Sequence, residues 1–95
     1  MSDIILVEQS IHTYFEEVEP QNNDNWEDLE KKMIEFIHIL LDKQPERLLQ
    51  AAYRLDLPEK SFSKAFYEHN AEKIVELILQ KEQQRLFFRK KYASD

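Results

Sequence analysis

The chain has 95 residues, 42 % of them apolar, and a formal net charge of −6, with neither glycine nor cysteine. This length makes one domain that buries roughly 60–65 % of its unfolded surface, enough for a core without covalent or metal support. The missing cysteines exclude disulfides, thiolate zinc sites and thiol nucleophiles, and the missing glycines exclude glycine-rich phosphate loops.

The first segment spans about residues 4–18. Ile4, Val7, Ile11, Tyr14 and Val18 recur every three or four positions, one stripe of an amphipathic helix, widened by Ile5 and Phe15. Ser2 or Asp3 is expected to cap it. Pro20 and the neighbouring asparagines end the pattern.

The second segment spans about residues 25–43. Asp24 followed by Glu27 has the spacing of a capping box, and Trp26, Leu29, Met33, Phe36 or Ile37, and Leu40 form the stripe. A helix of this length extends about 28 Å, which makes it the expected central strut. A third segment (45–55) opens at Pro45 and a fourth (58–68) at Pro58; proline suits a first helical position, where no N–H is needed. Only Asp56 and Leu57 separate them, so the chain must turn sharply. Positive backbone φ, without glycine, is expected at Asn22, Asn23, Asn25, Asp56 or Asn70. Asn70 is expected either to end the fourth segment in that conformation or to cap the fifth.

The fifth segment spans about residues 71–92. Its first half, with Ile74, Val75, Leu77, Ile78 and Leu79, has core composition. Five polar residues, 81–85, interrupt it before Leu86, Phe87, Phe88 and Tyr92. The second half is expected either to project from the domain or to fold back onto another helix. With no strand alternation or internal repeat, the expected fold is all-α: a compact single-domain bundle of about five helices, two short central ones joined by a tight turn.

Charge is distributed unevenly. The first thirty residues carry nine carboxylates and no lysine or arginine, whereas residues 81–91 carry five cations and one glutamate. Such separated poles need an internal or an external partner. At about 100° per residue, Leu86, Phe87 and Phe88 cannot all face one side of a helix. Aromatic residues beside arginine have interface composition. Arg85, Leu86, Phe87, Phe88, Arg89, Lys90, Lys91 and Tyr92 are therefore the candidate partner-binding residues. The competing expectation is that Phe87 or Phe88 packs under the first helix, with the cations toward Glu8, Glu16 and Glu17.

The stretch Ala52-Tyr53-Arg54-Leu55-Asp56-Leu57-Pro58-Glu59-Lys60-Ser61-Phe62-Ser63-Lys64-Ala65-Phe66 resembles the helix-turn-helix unit of AraC-type transcription regulators. Asp56 stands where that family usually has glycine, and Pro58 stands at the entry to the recognition helix. The resemblance implies a fourth segment lying in the DNA major groove, with Lys60, Ser61, Ser63 and Lys64 as DNA-binding residues beside Glu59. Glu35 and His38 have the Glu-x-x-His spacing of di-iron bundles, but in a single copy; His12 with Glu16, and His69, do not repeat it. No serine has a histidine at a catalytic motif spacing.

The chain reads as a small helical protein–protein interaction or regulatory module, not an enzyme, with no cofactor and no catalytic or metal residues. Its expected partner is another protein or its own copy; the alternative is the DNA-binding regulator. Without a signal-like start or a membrane-length apolar run, a soluble cytoplasmic protein is expected.

Overall fold

The computed structural model describes residues 3–20 and 25–93, except for the side chains of residues 92 and 93. Among these described residues five helices follow one another: α1 (Asp3–Tyr14), α2 (Trp26–Lys43), α3 (Pro45–Leu55), α4 (Glu59–Tyr67) and α5 (Ala71–Ala93). There is no strand among the described residues. The expected all-α bundle is therefore the fold, with α5 as its hub: it packs against α1, α2, α3 and α4.

The first helix is shorter than its apolar spacing suggests. It stops at Tyr14, yet Phe15 and Val18 in the following turn remain fully buried. The Val18 N–H donates to the Phe15 carbonyl at 3.0 Å, and the His12 Nδ1 lies 3.2 Å from the Val18 carbonyl. A tight turn thus delivers the same two apolar side chains that a further helical turn was expected to deliver. Phe15 meets Phe36 of α2 edge-on, ring centroids 5.6 Å apart.

Capping departs from the sequence reading at α2 and meets one of its two alternatives at α5. Asn25 caps α2, its side chain accepting from the Asp28 N–H at 2.9 Å; Asp24, like Asn22, Asn23 and Ser2, lies outside the described residues. Asn25 itself is extended (φ −147°) and so does not supply positive φ. At the α4–α5 junction His69, not Asn70, takes the left-handed conformation (φ 53°). Asn70 instead caps α5, accepting from the Lys73 N–H at 3.0 Å. Asn is the better cap because its short carbonyl reaches the third residue on, whereas His cannot. Asp56 does end α3 left-handed (φ 58°), and its N–H and that of Leu57 return to carbonyls of the last turn of α3.

One core joins the elements. Leu29, Met33, Ile37 and Leu40 of α2 meet Ile74, Val75 and Ile78 of α5; Leu48 and Leu55 come from α3 and Phe62 and Ala65 from α4. No helix is long and apolar enough to cross a membrane among the described residues.

Candidate functional site

The second half of α5 folds back onto α1, and polar side chains make the seam. Glu82 lies in the α5 core stripe, four residues after Ile78, and is only 4 % exposed. The Ser10 hydroxyl donates to its Oε2 at 2.5 Å, while Arg85 stands 3.6 Å from its Oε1. Arg85 also donates to the Tyr14 hydroxyl at 2.9 Å and to the Leu55 carbonyl at 3.2 Å, tying α5 to both α1 and α3. The Tyr14 hydroxyl, followed by the nearby carboxylates, raises the Arg85 pKa above the ordinary arginine value against the opposing effect of burial. Farther along, Lys90 pairs with Asp3.

This seam divides the eight candidate partner residues. Arg85 and Leu86 turn inward, Leu86 packing on the core. Lys90 is exposed but engaged by Asp3. Phe87 and Phe88 are 62 % and 51 % exposed and contact each other edge-on, with Arg89 and Lys91 also exposed. The Tyr92 side chain lies outside the described residues. Neither phenylalanine packs under α1, contrary to that expectation, because Glu82 and Leu86 already occupy the inward positions. Nor does Glu17 face the α5 cations. It forms a two-toothed pair with Arg47 of α3 at 2.6 and 2.7 Å, which holds its pKa down to about 2.

The second surface lies between α3 and α4. Alternate turns of α3 bury Leu48, Ala51, Ala52 and Leu55, leaving Leu49 and Tyr53 on a second, outward stripe. On α4, the positions 59, 62, 63, 66 and 67 form the facing stripe. Together they line an open groove of about 670 Å³ whose rim holds Tyr53, 88 % exposed, and Tyr67, 82 % exposed. Its charged lining residues are Asp56 and Glu59. Asp56 also stands 3.7 Å from Lys81.

The candidate DNA-binding residues separate here. Lys60, Ser61 and Lys64 share the solvent side of α4, whereas Ser63 turns into the groove. Glu35 and His38 are exposed on α2, and among the described residues no group of three metal-type side chains assembles.

Sequence reading missed both the groove and the Ser10–Glu82 contact. The signals were present: Leu49 and Tyr53 are four residues apart, a stripe offset from the core stripe of α3, and Glu82 sits in register with Ile78 and Leu86. A second stripe and a charged residue in a core register are visible in one dimension; what covers them is not.

Compared with known proteins, the chain has no significant match among family models, curated protein sequences or solved structures.

Proposed function

We propose that the protein is a small helical protein–protein interaction module working through the α3–α4 groove. The observation that carries this reading is the exposed apolar stripe Leu49–Tyr53 facing Phe66–Tyr67 across an open groove. Large aromatic side chains at a surface supply most of the energy of protein association, and contiguous apolar exposure is uncommon on an isolated domain. The acidic and basic poles do not carry the reading, because Asp3 and Lys90 already pair across them within the chain. Phe87, Phe88 and Arg89 form a second, smaller candidate surface.

Affinity capture from the native cell tests the reading with three baits: the natural chain, a Tyr53→Ala/Tyr67→Ala variant and a Phe87→Ala/Phe88→Ala/Arg89→Ala variant. The groove variant is expected to lose bound protein, including any copies of the chain itself, at unchanged helix content. Equal capture by the first two baits rejects the groove. Loss with the third alone transfers the function to the end of α5.

One observation favours the DNA-binding alternative: the left-handed Asp56 turn between α3 and α4, with Lys60, Ser61 and Lys64 exposed beyond it. The net charge of −6 opposes it. Titration with mixed-sequence duplex DNA at low salt decides the matter, since phosphate contacts are strongest there; no binding ends this alternative.

A further inference from the structure

We infer that the occupant of the α3–α4 groove is a cationic amphipathic helix of another protein, apolar at its centre with lysine or arginine toward both ends. The inference rests on the groove being the interaction surface and goes on to give its partner's chemistry.

Helix α3 sorts its charges by face. Glu46, Leu49, Tyr53 and Asp56 are all exposed and follow one another at helical spacing. At about 100° per residue they share an arc of roughly 80°, whereas Arg47 and Arg54 lie roughly 120–140° round from the centre of that arc. Both arginines are engaged on their own side. Arg47 pairs with Glu17, and Arg54 lies over the Tyr14 ring, 5.2 Å from its centroid. The groove side of α3 thus runs acid, apolar, aromatic, acid, with no cation. Helix α4 extends the same chemistry: it adds Glu59 to the lining, while Lys60 and Lys64 do not line the groove.

These carboxylates are open to a partner. Among the described residues Glu46 and Glu59 take no ion pair, and both are exposed. Asp56 has Lys81 3.7 Å away, yet its side chain is 88 % exposed and can meet a second cation.

The pattern specifies what complements it. A helix lying in a groove inserts apolar side chains at i, i+3, i+4 and i+7, and the centre of this groove offers Leu49, Tyr53 and Phe66 to receive them. Glu46 and Asp56 stand about 15 Å apart along α3 at 1.5 Å per residue, so cations nearly three turns apart on the partner meet both ends. The Tyr53 and Tyr67 rings, almost fully exposed, offer their faces to the same cations. An acidic segment would gain the apolar contacts alone and meet like charge at both ends, and the net charge of −6 on the chain works in the same direction.

The test uses two fluorescein-labelled peptides of about 15 residues, four helical turns, with leucines at groove-anchor spacing. One carries lysines toward its ends and the other glutamates. By fluorescence anisotropy at low salt, the lysine peptide should bind at least about tenfold more tightly, and added salt should narrow the difference. Single exposed ion pairs contribute little, so the three carboxylates are neutralised together: Glu46→Gln/Asp56→Asn/Glu59→Gln should weaken the lysine peptide about tenfold at unchanged circular dichroism. Asparagine tolerates the left-handed turn at Asp56. Glu27→Gln/Glu35→Gln/Glu72→Gln removes the same formal charge from exposed positions on α2 and α5 and should leave binding unchanged.

No binding of the lysine peptide overturns the inference, as do equal binding of the two peptides, equal weakening by both triple variants, or binding unaffected by Tyr53→Ala/Tyr67→Ala. A sedimentation mass that rises above 11.5 kDa with concentration and returns to it in that tyrosine variant puts a second copy in the groove, which also overturns it. If the tyrosine variant loses a captured protein that the carboxylate variant keeps, the groove stands and the cationic partner falls. If the tyrosine variant keeps every captured protein, both fall.

Discussion

Arg85 of α5 donates to the hydroxyl of Tyr14, the last residue of α1, at 2.9 Å. The same guanidinium reaches the Leu55 carbonyl at the end of α3 and stands beside buried Glu82. One side chain thereby links three helices at the level where α5 changes from hub to terminal arm.

Removing that link should be costly because Glu82 stays behind. Loss of one member of a buried ion pair costs about 3–5 kcal/mol, and Arg85 is only partly buried, so Arg85→Met is expected near the lower end. Tyr14→Phe removes one hydrogen bond and should cost about 1–2 kcal/mol. Urea denaturation measures both. A loss for Arg85→Met no larger than for Tyr14→Phe would show that Glu82 does not depend on the guanidinium.

The turn after α1 should matter as much as any helix. Phe15→Ala empties a buried site against Phe36 and should cost about 3–5 kcal/mol. Phe87→Ala, at an exposed position, should stay within about 0.5 kcal/mol. Thermal or chemical unfolding of the two variants separates a core phenylalanine from a surface one.

The Glu17–Arg47 pair gives a small acid-sensitive contribution. The Arg47 guanidinium lowers the Glu17 pKa from 4.5 to about 2, so the pair stabilises the fold above about pH 4.5 and loses that contribution as pH falls toward 2. The carboxylate is half exposed and solvent screens it, which limits the contribution to about 1 kcal/mol or less. Glu17→Gln should therefore differ from the natural chain at neutral pH, and the difference should close through that acid window. A difference independent of pH would place the effect elsewhere.

Among the described residues, Asp56 and His69 carry left-handed backbone without being glycine. His69→Gly removes the steric cost of φ 53° and should stabilise the protein by up to about 1 kcal/mol, less the added freedom of the unfolded chain. His69→Val should destabilise it, because a β-branched side chain tolerates that conformation poorly. Chemical denaturation of the pair tests the sign of each change.

Helix positions were readable from the residues alone because they depend on local chemistry. Pro45 at the start of α3, the Asp56 turn and the stripe from Leu29 to Leu40 each act over a few neighbours. Local chemistry also accounts for the α4–α5 junction: Asn70 took the cap, one of the two roles expected of it, and His69 took the left-handed turn.

The candidate surfaces were less legible. Which of Leu86, Phe87 and Phe88 faces inward depends on where α1 lies, and Ser10 finds Glu82 across 72 positions of sequence. The separated charges, residue by residue, define acidic and basic poles at the two ends of the chain. By itself the sequence determined a five-helix all-α chain with those poles, because periodicity, caps and turns are short-range. Only the tertiary structure decided that the poles meet through Lys90 and Asp3 and that the open apolar surface lies between α3 and α4. Those outcomes turn on which faces remain uncovered once the helices pack around α5, and packing partners are set by contacts distant in sequence.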